Sequence, residues 1–110
     1  MPELRESVTA VLLRADTVGD GATTEPYEAG WASEAIVFVH TVDGESGGAI
    51  EAALSADGMQ WIDEGSRIEL PGVGGAAFAR LAHFGNWLRF RVRMRAGASA
   101  RLTVTLHLKA

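Results

Sequence analysis

An all-β fold, an antiparallel β-sandwich of jelly-roll-like form with about seven to nine short strands, is what this 110-residue sequence predicts. Three observations carry that reading. Apolar and polar residues alternate at a spacing of two in several segments, and a spacing of two is the side-chain period of a half-buried strand. Glycine-rich punctuation, thirteen glycines in all, recurs between those segments. A 47% apolar and 22% charged composition gives one domain's worth of core at this length, so residues 1–110 read as a single sandwich domain.

In chain order, residues 1–7 suggest a flexible N-terminal arm, and Val8–Ala15 ("VTAVLLRA") a first strand. Leu4, Val8, Val11 and Leu12 also fit helical spacing, so a helix is the competing reading there. Residues 16–30, opening with "DTVGDGATTEP", read as a mobile loop. Glu34–Val42 ("EAIVFVHTV") is apolar on both parities, which predicts a strand covered on both sides. In Gly48–Ser55, Ile50, Ala52 and Leu54 point inward and Glu51 outward. A turn at "SADG" leads to a short strand Met59–Asp63, a turn at "DEGS" to another at Arg67–Leu70, and "PGVGG" to Ala76–Leu81. "GGAAFARLAHF" could instead be helical by its alanines.

The last twenty-five residues give the clearest signal. Leu88, Phe90, Val92 and Met94 alternate with Arg89, Arg91, Arg93 and Arg95. After "AGASA", Leu102, Val104, Leu106 and Leu108 alternate with Arg101, Thr103, Thr105, His107 and Lys109. A five-residue link containing Gly97 predicts a hairpin that pairs Arg95 with Arg101, Arg93 with Thr103, Arg91 with Thr105 and Arg89 with His107.

Charge follows the same division. The chain has a net charge of −4, yet residues from Asn86 onward hold six cations and no acid, while the first 85 residues hold four arginines against fourteen acids. A nucleic-acid surface ordinarily comes with a basic domain and exposed aromatics or a recognition helix, and this domain is acidic. The cations therefore predict the outer face of a sheet, with Arg89, Arg91, Arg93, Arg95, Arg101, His107 and Lys109 as a candidate interaction face. It would be neutralised by acids such as Glu51 or Glu69 or by a neighbouring subunit. On that reading, charge reversal at Arg91 and Arg93 weakens assembly.

The signals for chemistry are weak. There is no cysteine, which excludes disulfides, thiolate metal sites and thiol catalysis. His40, His83 and His107 share no short metal-ligand spacing. His40 reads as a core histidine, His83 as part of a corner, and His107 as part of the basic row. Asp16, Asp20 and Glu25, or Asp43 and Glu45, could bind calcium, but turn chemistry accounts for both groups and neither has EF-hand spacing. "GVGG" and "GDG" lack the lysine of a phosphate loop, and no "GxSxG" elbow occurs. The expectation is a protein that is not an enzyme and needs no cofactor. Trp31, Trp61 and Trp87 leave open a carbohydrate-binding module with a stacking platform, against the plainer reading of packed tryptophans. No run is long enough for a membrane span, and the acids in "MPELRESVTAVLLRAD" argue against a signal peptide, so synthesis in the cytoplasm is expected.

Ser55, Asp57, Gly58, Trp61, Phe84, Gly85, Arg89, Gly97 and Lys109, set among the strands from Glu34 to Lys109, resemble a pattern in small structural proteins of tailed phages and prophages. These are β-sandwich, often jelly-roll, proteins associated with the virion or capsid. The pattern is a strand ending in Ser-x-Asp-Gly, then x-x-Trp, an apolar strand, a Phe-Gly corner before an arginine, and two alternating strands ending in lysine. It covers about two thirds of the chain. "AGASA" departs from it where a proline often stands, and the acidic first third is this chain's own. The resemblance implies a component or decoration of a phage-like or capsid-like particle. The expected partners are further copies of the chain, in a homo-oligomer such as a trimer, and a shell or other particle protein, with neither nucleic acid nor membrane.

Overall fold

The computed structural model describes residues 6–44 and 47–110. Eight strands follow one another in that part of the chain: β1 (Ser7–Gly19), β2 (Tyr27–Glu28), β3 (Glu34–Gly44), β4 (Ala49–Ser55), β5 (Ile62–Glu69), β6 (Ala76–Ala82), β7 (Trp87–Arg93) and β8 (Ser99–Lys109). They form two four-stranded sheets, in the orders β1-β8-β3-β6 and β2-β7-β4-β5, with antiparallel pairing throughout. Ile50, Phe90 and Val92 from one sheet and Val37, Leu102 and Leu106 from the other share one buried cluster. The fold is therefore the β-sandwich that the alternation predicts. Both segments with a competing helical reading are strands, β1 and β6.

The final two strands do not form the expected hairpin. β7 pairs with β4 and β2, whereas β8 pairs with β1 and β3, so they lie in opposite layers. None of the four pairs expected between Arg89–Arg95 and Arg101–His107 forms; Arg91 faces Glu51 of β4, and Arg101 faces Thr17 and Asp43. The reason is that parity fixes which row is buried but not which strand lies alongside. A hairpin puts two apolar rows on one face of one sheet, and an arch puts the same rows opposite each other across the core; the alternation is identical. The link crosses the core's edge with Met94 and Ala98 both buried. It is closed by a turn in which the Ala98 amide donates to the Arg95 carbonyl at 3.1 Å, with Gly97 at φ 83°. The arch also removes the stacking of Arg95 on Arg101 that a hairpin requires.

The segment read as a loop over 16–30 is largely paired. Asp16–Gly19 extends β1, and the chain then runs along the edge of β7. The Gly21 amide donates to Val92 at 2.9 Å, the Val92 amide to Ala22 at 2.7 Å, and the Thr24 amide to Phe90 at 2.9 Å. The Phe90 amide returns to the buried Thr24 hydroxyl at 3.0 Å, and Tyr27–Glu28 continues the pairing as β2. The signal missed was the need of a buried strand's edge amides for partners. Most of the suggested arm over 1–7 lies outside the described residues; within them, Ser7 pairs with Lys109 and the Ala110 amide donates to the Glu6 carbonyl at 2.8 Å.

"DEGS" is not a turn between strands but a bulge inside β5, where Glu51↔Arg67 and Ala53↔Asp63 leave three residues, Glu64–Ser66, against Ala52 alone. Gly65 sits there at φ 107°. Met59 and Gln60 belong to the "SADG" turn instead, which Asp57 organises: its Oδ1 accepts from the Met59 amide at 2.9 Å, the Gln60 amide at 3.0 Å and the Ser55 hydroxyl at 3.0 Å. β3 is covered on one side only. Ala35, Val37, Val39 and Thr41 are buried, while Phe38 and His40 are exposed, so His40 is not a core histidine.

The sheet edges are blunted in different ways. β1 carries register shifts between Val11 and Asp16 with Ala15 at φ 52°, β2 is two residues long, and β5 carries its bulge.

Candidate functional site

The seven cations expected on one face are divided by the arch. Arg89, Arg91 and Arg93 stand on the outer face of the β2-β7-β4-β5 sheet, and Arg101, His107 and Lys109 on the outer face of the other. Arg95 lies beyond β7 in the link.

On the first face Arg93 of this row, together with Arg67 of β5, meets acids of the same chain, as the charge asymmetry led us to expect. The Arg93 Nε donates to Glu51 Oε1 at 2.7 Å, the Arg67 Nη1 to Glu51 Oε2 at 3.1 Å, and the Arg67 Nε to Glu69 Oε1 at 3.0 Å. The hydrogen bond from Arg93, and then that from Arg67, hold the Glu51 carboxyl below its ordinary value, although its partial burial opposes this. The hydrogen bonds to Glu51 and Glu69 in turn raise Arg93 and Arg67. These pairs are half exposed, so each contributes little to stability by itself. A cleft of about 150 Å³ lies beside them, lined by Glu51, Ala53, Trp61, Asp63, Arg89 and Arg91.

The three tryptophans have different surroundings. The Arg89 guanidinium lies 4.3 Å from the centre of the Trp61 ring, a cation–π contact that occupies that face. Trp87 is half-buried at the start of β7, with Gly58 close enough that a Cβ there would meet the indole at 3.4 Å. Trp31 is 37% exposed in the connection from β2 to β3.

Three of the acids considered for calcium, Asp16, Asp20 and Asp43, have backbone partners. Asp16 accepts from the Arg14 amide at 3.1 Å, Asp20 from the Met94 amide at 3.0 Å and Asp43 from the Gly44 amide at 2.8 Å. Glu45 lies outside the described residues, and among the described residues no three metal-ligating side chains come together. Hydrogen bonds from the Gln60 and Met59 amides and the Ser55 hydroxyl hold Asp57 below its ordinary value, consistent with a turn anchor. Among the described residues, no helix is long and apolar enough to cross a membrane.

The outer face of the β1-β8-β3-β6 sheet is different in kind. Val11, Thr105, Phe38 and Phe78 form one row straight across all four strands. Val11 is 41%, Phe38 42% and Phe78 50% exposed. The two rings lie 6.2 Å apart at 40°, and the Arg80 guanidinium caps Phe78 at 5.0 Å. The neighbouring row is Thr9, His107, Ile36 and Arg80, with Thr9 Oγ1 and His107 Nδ1 hydrogen-bonded at 3.0 Å. A pocket of about 310 Å³ opens at this end, lined in part by Glu34, Ile36, Arg80, His107 and Lys109. Reasoning from sequence missed this patch. Its signal was present in "EAIVFVHTV": apolar residues on both parities mean either a strand covered twice or a strand with an uncovered apolar face.

No family model and no curated protein matches the chain. Among solved structures it is similar to the crystal structure of SPBc2 prophage-derived protein YomS, at 11% sequence identity and a TM-score of 0.67, with 100% of this chain and 98% of that one covered. At that identity the likeness is one of fold, and it extends over the whole sandwich.

Proposed function

We propose that the chain is a non-enzymatic structural protein, a component or decoration of a phage-like particle, acting through self-association and contacts with a shell or other particle protein. The observation that carries this reading is the end-to-end match in fold with a prophage-derived protein. It agrees with the resemblance carried by Ser55, Asp57, Gly58 and the residues that follow. The face around Phe38 and Phe78 adds support, because a monomeric sheet has no need of an uncovered aromatic row, whereas an assembly module does.

The test is to purify particles by density gradient after induction of the element that encodes the chain. The expected result is that the chain bands with the particles in a fixed ratio to their shell protein. Its presence in the lysate together with absence from washed particles would contradict the reading.

A further inference from the structure

We propose that the outer face of the β1-β8-β3-β6 sheet binds the same face of a second copy, across a two-fold axis that runs along the strands between β8 and β3. This deepens the self-association in the reading above and rests on it.

The face has an apolar centre with a charge pair at each end. Lys109 stands beside Glu34 at one end, and Arg101 beside Asp43 at the other, each as register partners on β8 and β3. Between them run the row of Val11, Thr105, Phe38 and Phe78 and the half-buried Ile36. A two-fold axis along the strands exchanges β8 with β3 and β1 with β6. It lays Lys109 over the Glu34 of the second copy, Arg101 over its Asp43, Thr105 over its Phe38 and Val11 over its Phe78. Both ends are then attractive, and each exposed apolar side chain of the row gains a partner. An axis at right angles, along the row, does the opposite: it brings the Lys109 end over Arg101 and the Glu34 end over Asp43. The charges thus select one of the two symmetric ways of closing the patch.

Size is consistent with this. Four strands about 4.8 Å apart and about seven residues long give a flat footprint of roughly 450 Å² per copy, about 900 Å² in all, which is below the standard range and in that of weak, transient interfaces. A reversible dimer follows rather than an obligate one. Aligned packing of two sheets at about 30° accommodates their twist.

Sedimentation of the full chain from micromolar to sub-millimolar concentration tests this. The wild type is expected to reach the mass of two chains. Phe38→Asp should weaken the dimer at least about 100-fold, and Glu34→Lys or Lys109→Glu about tenfold each. Circular dichroism checks that each variant is folded, and Phe78→Ser gives a second, milder probe of the row. The decisive arm mixes the Glu34→Lys chain with the Lys109→Glu chain. Each alone opposes like charges across the axis, whereas the mixture pairs a cationic end with an anionic one and should recover a dimer of wild-type strength. A wild-type mass of one or three chains, or a mixture no stronger than its components, overturns the proposal. A monomer that still bands with particles would overturn this interface and leave the particle reading standing.

Discussion

β7 and β8 are close neighbours in the chain and nearly the same to a pattern reader, yet they do different work. Both alternate strictly, and both bury their even-numbered residues. Their outer rows differ. β7 presents arginines, and the sheet around it supplies Glu51 between Arg91 and Arg93. β8 carries Arg101 and Lys109 towards its ends and Thr103, Thr105 and His107 between them, and beside these Phe38 and Val11 remain exposed. An alternating strand thus declares its inner face, while its outer row reflects which neighbours it takes. One layer of this sandwich satisfies its outer face within the chain, and the other leaves an apolar row open.

The inner rows are where the two strands should behave alike. Phe90→Ala in β7 and Leu106→Ala in β8 remove fully buried side chains from opposite layers of one cluster. Each should cost about 2–5 kcal/mol by chemical denaturation. If one proved nearly silent, the two sheets would not share a core.

Gly44→Ala should come next. Gly44 stands at φ 105°, and a Cβ there would lie 2.6 Å from the Ala100 Cα. The expected loss is about 1–3 kcal/mol, read as a lower unfolding midpoint. The same change at Gly72, where a Cβ meets open space, is the control.

A smaller effect of opposite sign is expected at Thr41, in the same β3–β8 ladder. Its side chain is buried, and its hydroxyl has no hydrogen-bond partner among the described residues. Thr41→Val keeps the shape, removes that burial penalty and should raise stability by about 1 kcal/mol.

The smallest effect belongs to the outer row of β7. Glu51 ionises more readily in the folded chain than at its ordinary value of 4.5. Its contribution is therefore complete above about that pH and falls away as pH drops through the lower, folded value. Glu51→Gln should flatten this part of the acid limb of a stability–pH curve, and high salt should narrow the gap between the two proteins. An unchanged acid limb would mean that the Arg67–Glu51–Arg93 network is not held in solution.

Much of this architecture was legible because each strand writes its buried parity into the sequence. Leu88–Met94 and Leu102–Leu108 announced a two-layer core, and Asp57-Gly58 announced its turn. What the sequence could not convey was partnership. Parity is the same for a hairpin and an arch, so the layer of β8 was hidden, and with it the division of the cationic face. The bulge at Gly65 looked like a turn because both place a glycine at positive φ. The strap from Asp20 to Glu28 looked like a loop because its hydrogen bonds run to β7, far away in sequence. Of the candidate site, the pairing of Glu51 with the arginine row was foreseen, and the Phe38–Phe78 row was not. An apolar residue gives the same signal whether a second layer or nothing covers it.

The claim on which these assignments depend is that the last two strands occupy opposite layers. The absence of native cysteine makes a clean test possible. Glu51→Cys with Arg91→Cys joins register partners of β4 and β7, and Arg91→Cys with Thr105→Cys joins the pair that a terminal hairpin would form. Under mild oxidation the first double variant should close a disulfide within one chain and the second should remain reduced. The reverse outcome, closure between positions 91 and 105 but not between 51 and 91, would contradict the arch and return all the cations to one face.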